Sequence, residues 1–177
     1  ATLGKEQRYR WVREPHPADG TEVSLEFTFE TVKKITGYTE LAIEHPENFQ
    51  IYLNRQPVEQ RITGCLYDRG IKRIPLPGWA EGENRLRLIC RYRNSMELEN
   101  CYLCGEFGVN TERKITEQPT ALLIGDWTAQ GLYHYAGSVK YLYDFRWNPR
   151  CKRRADSRIY LKLKDFKGTC ATVRLGM

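Results

Sequence analysis

Apolar and polar residues alternate along most of the chain. In EVSLEFTFE, the apolar residues Val23, Leu25, Phe27 and Phe29 alternate with polar ones, which is the two-residue period of a strand with one buried face. The same period recurs in ELAIEH, FQIYLN, IKRIPLP, ENRLRLICRYR, CYLCGEF, SVKYLYDFRW, RIYLKLKDF and CATVRL. Turn residues separate these runs, and no segment keeps a helical period beyond about two turns. The pattern predicts an all-β chain folded as an antiparallel β-sandwich.

The strand pattern occurs in two similar copies. EVSLEFTFE matches SVKYLYDFRW, and ELAIEHPENFQIYLN matches IYLKLKDFKGTCATVRL with a small change in length. We therefore predict a β-sandwich module over 8–110, a connector over 111–119 and a partial second β-sandwich repeat over 120–177. A partial repeat leaves an apolar sheet face and unpaired edges uncovered. Two alternatives stay open: it packs with the first module in one composite domain, or it forms a strand-exchange homodimer.

Composition and charge narrow the class of protein. Of the 177 residues, 41% are hydrophobic and 28% are charged, which is typical of a globular domain rather than a disordered or membrane protein. The longest apolar run, 121–124, is far shorter than the roughly 20 residues of a membrane span. The net charge of +6 includes one dense basic cluster in NPRCKRRADSR. That cluster contains no aromatic residue, so we interpret it as a solvated hairpin loop in preference to a nucleic-acid site. The short apolar runs predict no membrane partner.

The six cysteines do not form a recognisable metal or disulfide pattern. Cys101 and Cys104 form a CxxC inside a predicted strand, where their side chains point to opposite faces with Cα atoms about 10 Å apart. A disulfide needs less than about 7 Å. A zinc site lacks further ligands, because His16, His45 and His134 are isolated in the sequence. We predict reduced, mostly buried thiols and no metal or cofactor; unpaired thiols and the lack of a signal peptide favour the cytoplasm without deciding the location.

The stretch GDWTAQGLYHYAGSV, residues 125–139, combines aromatic and polar side chains between two strand patterns. A sugar site needs an aromatic plane and a few hydrogen-bonding groups, and this stretch supplies both. The candidate sugar-binding residues are Trp127, Gln130, Tyr133, His134 and Tyr135. The same residues also suit a buried corner of the fold, with Gln130 hydrogen-bonding loop amides, and we favour that interpretation over direct sugar contact or an interdomain interface.

A second candidate position is Trp79, in the turn PGWAEGEN. An aromatic side chain at a loop tip suits a ligand platform, but it equally suits a cap on one end of the sandwich core, and the sequence leaves both open. Nearby, Asp68, Arg69 and Arg73 in YDRGIKR are interpreted as a salt-bridged surface rather than as hydroxyl ligands.

Several of these motifs together resemble a known group. GDWTAQGLYHYAGSVKYLYDF is similar to the W-x-x-Q-G-x-x-x-Y-x-G-x-V-x-Y signature of galactose-binding-like jelly-roll domains in bacterial glycoside hydrolases, including family 2 sugar-binding domains and rhamnosidase-like enzymes. FQIYLNRQPVE resembles the V-x-V-N-G-x-x-V hairpin of that group, and IPLPGWAEGENRLRL resembles its L-x-x-G-x-N-x-L-x-L strand pair. ELENCYLCGEFGV resembles a segment that often precedes the signature.

This resemblance implies a jelly roll that acts as a non-catalytic carbohydrate-binding or accessory module of a glycoside hydrolase, with carbohydrate and the parent enzyme's catalytic domain as partners. Some relatives hold a structural calcium, which the resemblance alone would allow here. A purely structural inter-domain sandwich is the alternative, and a basic protein- or nucleic-acid-binding module comes third. One departure concerns Asn54-Arg55, which replaces the family's Asn-Gly and predicts a longer or different turn.

Overall fold

The computed structural model describes residues 13–96, 98–144, 160–164, 167–174 and 176. By its internal contacts the chain divides into two compact units, Ala1–Gly137 and Ser138–Met177. The first unit contains every strand of the described residues. They are β1 (Glu22–Thr31), β2 (Thr39–Glu44), β3 (Phe49–Leu53), β4 (Gln56–Pro57), β5 (Gly64–Leu66), β6 (Asp68–Leu76), β7 (Gly82–Arg91), β8 (Tyr102–Gly105), β9 (Phe107–Val109) and β10 (Ile115–Glu117).

The ten strands form two sheets. The larger sheet has six strands in the order β4-β3-β7-β1-β10-β9, and the smaller has four in the order β5-β6-β2-β8. All pairs are antiparallel except β1 with β10, which meet in parallel at Thr31 and Ile115. The chain is thus an all-β, two-sheet sandwich, which confirms the predicted fold class. The jelly-roll connectivity stays a prediction.

The core lies between the two sheets and follows the alternation read from the sequence. On β7, inward residues are buried while their neighbours Glu83, Arg85, Arg87 and Arg91 are exposed. One cluster joins buried residues of both sheets. Its members are Ile35, Leu41, Ile43, Phe49, Ile51, Leu53, Ile74, Leu76, Trp79, Leu86, Leu88, Cys90 and Ile115. Burying each such aliphatic side chain contributes roughly 1.5–3 kcal/mol before the entropy of ordering is subtracted.

Asn84 is a polar side chain in the middle of this apolar strand face, and it is fully buried. Its amide Nδ2 lies 2.8 Å from the carbonyl oxygen of Ala80 and 3.2 Å from that of Gly82, and its Oδ1 accepts from the amide N–H of Ala80 at 3.1 Å. The Asn54 amide donates to the same Oδ1 at 2.7 Å. Asn84 therefore fixes the turn before β7 and ties it to the β3–β4 hairpin.

The β3–β4 hairpin corrects one expectation. Asn54-Arg55 predicts a longer or different turn, but the structure contains a two-residue turn in which Asn54 has φ 49° and Arg55 has φ 68°. Both central residues are left-handed, which is the hairpin geometry that glycine usually provides. The Asn54 side chain stabilises the turn, since its Oδ1 accepts from the Arg85 amide N–H at 2.9 Å. Arg55 adopts the same region without glycine's freedom.

The region after residue 110 differs from the predicted division. The segment predicted as a connector, 111–119, contains β10, whose Ile115 carbonyl accepts from the Val32 amide N–H at 2.8 Å. The larger sheet of the first unit therefore continues to Glu117. In the second unit, the described parts of SVKYLYDFRW and RIYLKLKDF contain no strand, although both were predicted as strands. A partial second repeat over 120–177 stays a prediction.

Replacing Asn84 tests the polar network. Asn84→Ala leaves the buried groups of Ala80 and Gly82 without their partner, and we expect a loss of about 2–4 kcal/mol in the free energy of unfolding. Asn84→Asp should cost at least as much, because a carboxylate would face two carbonyl oxygens. Urea unfolding measures both, with the neighbouring exposed Glu83→Gln as a control that should change stability by less than about 0.5 kcal/mol. Equal stabilities of Asn84→Ala and Glu83→Gln would contradict this role.

Replacing Arg55 tests the strained turn. Arg55→Gly removes a left-handed non-glycine residue, and we expect a net gain of about 0.5–1 kcal/mol after the greater flexibility of the unfolded chain is subtracted. Arg55→Ala keeps a Cβ at the same φ and should give no comparable gain. If Arg55→Gly and Arg55→Ala unfold at the same urea concentration, the left-handed backbone at Arg55 does not lower the stability of the protein.

Candidate ligand-binding turn

The candidate stretch begins with a tightly bonded loop. The Asp126 carboxylate Oδ1 accepts from the Thr128 amide N–H at 2.9 Å and from its hydroxyl at 2.7 Å. These bonds open a single 3-10 turn, Thr128–Gln130, which ends at Gly131 with φ 88°. The Trp127 carbonyl accepts from the amides of Gln130 and Leu132 at 3.0 and 3.1 Å. A short polar side chain before the turn and a left-handed glycine after it are the usual signals for such a loop.

The loop is docked on the edge of the larger sheet. Val109 of β9 donates its amide N–H to the Gly131 carbonyl at 2.7 Å, and its own carbonyl accepts from the Tyr133 amide at 3.1 Å. Gly108 makes this approach possible, because a Cβ there would lie 2.8 Å from the carbonyl oxygens of both Glu117 and Gly131. The backbone that carries the candidate aromatic residues is therefore positioned by the sheet.

Gln130 is engaged entirely within the loop. Its Oε1 accepts from the Leu123 amide N–H at 2.7 Å, and its Nε2 lies within 3.1 Å of the carbonyl oxygens of Leu123 and Asp126. This is the structural alternative read from the sequence, in which Gln130 hydrogen-bonds loop amides. Because its amide group is already satisfied, Gln130 is removed from the sugar-binding candidates.

Three rings follow the loop and form what we call the aromatic turn, residues 133–135. Tyr133 is half-buried, while His134 and Tyr135 are exposed. The Tyr133 and His134 rings meet edge to face, with centroids 4.8 Å apart and an interplanar angle of 90°. Tyr135 lies against Gly137, where an added Cβ would overlap the phenol group. Trp127, half-buried in the preceding loop, contributes a fourth aromatic side chain nearby in sequence. The turn therefore offers aromatic surface with two phenol hydroxyls and one imidazole, which suits a sugar face.

Trp79 does not belong to any such surface. It is 0% exposed and packs between Phe29 and Phe107, with ring centroids 5.1 and 5.0 Å away. Its backbone exchanges two 3.0 Å hydrogen bonds with Ile35, which hold the loop before β7 against the core. Of the two alternatives, the cap on the sandwich core is the one observed. Trp79 cannot stack on a sugar because no face of its indole reaches solvent.

The structure also contains a buried carboxylate that the sequence does not reveal. Glu40 of β2 has a side chain only 3% exposed, and its Oε2 lies 3.2 Å from Nη1 of Arg73. Its Oε1 accepts from the hydroxyls of Tyr38 and Thr63, both at 2.6 Å. Arg73 therefore forms an ion pair, as its segment predicts, but with a partner on another strand. With three donors bound, this buried carboxylate is satisfied, and it links β2 to Arg73 of β6 and to Thr63 before β5.

The thiols of the described residues are free. Cys90 is buried, Cys101 and Cys104 are half-buried, and Cys65 and Cys170 are exposed. Burial raises the pKa of the Cys90, Cys101 and Cys104 thiols, and the Glu40 carboxylate raises that of Cys104 further. These three are therefore protonated and poorly nucleophilic at neutral pH. The expectation of mostly buried thiols is therefore wrong for the described residues, because only Cys90 is buried and both Cys65 and Cys170 are exposed.

The described residues contain no group of three or more His, Cys, Asp or Glu side chains placed to hold a metal ion. Within the same residues, no helix has both the length and the apolarity to cross a bilayer. The predicted basic hairpin loop, residues 148–158, lies outside the described part of the chain.

Comparison of the chain with protein-family models, with curated proteins and with solved structures finds no match. The motif resemblance to galactose-binding-like domains therefore stays an expectation.

Gly108 tests whether the sheet positions the aromatic turn. Gly108→Ala forces a methyl group against two backbone oxygens, so we expect a loss of about 1–3 kcal/mol and a displaced loop. Hydrogen exchange should accelerate at the amides of Val109 and Tyr133, whose acceptors connect the loop to β9. Gly176→Ala is the control, because a Cβ there meets nothing within 4 Å. Unchanged exchange in Gly108→Ala would show that the loop is held by other contacts.

Proposed function

We propose that this chain is a non-catalytic accessory module of a carbohydrate-active enzyme and that the aromatic turn is its sugar-contacting surface. The observation that carries the proposal is the fixed position of these rings: the backbone before Tyr133 is hydrogen-bonded to Val109, and Gln130 closes the loop behind it. A ligand that stacks on a preformed turn loses little free energy to ordering the protein. The resemblance of the surrounding stretch to the galactose-binding-like signature favours the same ligand class.

The same geometry supports a binding role over a catalytic one. Glycoside hydrolysis requires two carboxyl groups on either side of the bond, one of them with a raised pKa. Asp126, the acidic residue of the stretch 125–139, uses an oxygen to hold both polar groups of Thr128. Glu40, the buried carboxylate of the smaller sheet, is bound by Arg73 and two hydroxyls. Both carboxylates therefore hold neighbouring groups of the fold by hydrogen bonds or an ion pair.

A structural inter-domain sandwich is the second candidate, and one observation favours it. Leu123 and Ile124, in the loop that Gln130 fixes, are 80% and 83% exposed. Adjacent exposed aliphatic side chains on an ordered loop are typical of a contact surface for another domain. In that case the loop would dock on the catalytic domain, and the aromatic turn would form the border of the interface.

Sugar titration distinguishes the two candidates. We expect mono- or oligosaccharides to shift the amide resonances of residues 133–135 with a Kd on the order of mM, since a shallow aromatic surface offers little contact area. Tyr133→Ala and Tyr135→Ala should each weaken binding by about five- to thirtyfold, which corresponds to roughly 1–2 kcal/mol. Tyr102→Ala is the control, because that half-exposed tyrosine lies on β8 of the smaller sheet.

If a broad glycan panel leaves the amide resonances of residues 133–135 unchanged, the sugar-contact proposal fails. If Leu123→Ser and Ile124→Ser then abolish binding to a separately produced catalytic domain, the structural role is supported instead.

A further inference from the structure

Among the described residues, strand β1 has a partner strand along only one of its edges. On that side it pairs with β7 from Glu22 to Thr31, but on the other side it meets β10 only at Thr31, where the neighbouring backbone groups of Glu30 and Val32 bond to Ile115. No described residue pairs with that side over residues 22–29, which we call the free edge. At about 3.3 Å per residue, the free edge is roughly 26 Å long. Native sheets rarely leave such a length of backbone donors and acceptors open.

The hydrogen-bond pattern identifies the groups on the free edge. The Val32 amide N–H points away from β7 and donates to Ile115, while the Thr21 carbonyl accepts from Tyr92 on the β7 side. Backbone direction alternates along a strand, so the even-numbered residues direct their N–H and C=O groups to the free edge. Within the free edge these residues are Glu22, Ser24, Glu26 and Thr28.

The two faces of β1 differ sharply in chemistry. Its inward face carries Val23 and Leu25, both half-buried, and Phe27, which is 42% exposed although it points toward the core side. A strand added at the free edge would cover part of this apolar surface. Because the inward face is incompletely covered by the smaller sheet, the added strand needs apolar residues at alternate positions.

The outward face of β1 is acidic, with Glu22, Glu26 and Glu30. The paired neighbour β7 matches it with basic residues, placing Arg91 opposite Glu22 and Arg87 opposite Glu26. Exposed ion pairs at 2.9 Å also join Glu26 to Arg85 and Glu30 to Lys114. An antiparallel copy of β1 centred on Glu26 would bring like charges together, which disfavours pairing between two β1 edges.

We propose that the free edge is a strand-addition site for a partner strand that alternates apolar residues with lysine or arginine. The apolar residues would continue the inward face of β1, and the basic residues would lie beside its glutamates. The stretch YLKLK, residues 160–164, has this pattern. It is not in a strand, and its Leu161 and Leu163 are 68% and 52% exposed. It therefore supplies the sequence of a matched probe.

The test uses the full chain and a synthetic peptide with the sequence of residues 158–164. We expect the peptide to slow hydrogen exchange at the amides of Ser24, Glu26 and Thr28 by about tenfold or more. A control peptide with Glu at Lys162 and Lys164 should bind about three- to tenfold more weakly, because like charges then lie side by side. The Glu26→Lys protein should instead bind the glutamate peptide more tightly than the lysine peptide. A general loss of structure at β1 would weaken both peptides and would not reverse their order.

Unchanged hydrogen exchange at Ser24, Glu26 and Thr28 at saturating peptide overturns the proposal. Equal binding of both peptides to the unaltered chain and to Glu26→Lys also overturns it. If these amides are already protected without peptide, and Lys162→Glu with Lys164→Glu removes the protection, the same strand chemistry is supported with the chain's own sequence as donor. Protection that is insensitive to every charge change overturns it. None of these results depends on whether the aromatic turn binds sugar.

Discussion

The buried face of β7 is the constraint on which the rest of the first unit depends. This strand pairs with β1 on one side and β3 on the other, so its alternation sets the register of the centre of the larger sheet. A shift by one residue would bring its arginines into the core and expel Leu86 and Leu88. Asn84 adds a second restriction, because its amide fits only the turn formed by Ala80 and Gly82. That turn before β7 also holds Trp79 against the core.

The period of two was enough to predict the longer strands β1, β2, β3, β6 and β7, because each buries alternate side chains on one sheet face. The three-residue strands β5 and β10 are too short to show that period, and they were not predicted. The period could not identify the role of Asn84, which lies at an inward position where an apolar residue is expected. It also could not predict the left-handed Arg55, since the energy of the Asn54 and Asn84 bonds offsets the local preference for glycine. The sequence does not reveal the burial of Glu40 for a similar reason: alternation places it outward, and its partners are Arg73 of β6 and Thr63, which lies just before β5.

In the candidate site too, the local sequence predicts some features, while contacts between distant parts of the chain determine the others. The local sequence predicts an aromatic and polar surface over residues 125–139, and it offers the alternative that Gln130 hydrogen-bonds the loop and not a ligand. The decisive facts are long-range. Gly108 and Val109 of β9 fix the loop, and Trp79 is enclosed by Phe29 and Phe107, which come from distant parts of the chain. No local pattern distinguishes a tryptophan that caps a core from one that faces solvent.

The pairing of β1 with β7 has a consequence for how the protein forms. Thr31 pairs with Gly82 and Glu22 with Arg91, so β1 cannot begin to pair with β7 before Gly82 is synthesised and cannot complete that ladder before Arg91. During translation β1 therefore leaves the ribosome with both edges open, and β2 to β6 must emerge before its own ladder closes. A sheet dominated by such distant pairings folds slowly, and its acidic outward side chains protect the nascent strand from joining its equivalent on a neighbouring ribosome.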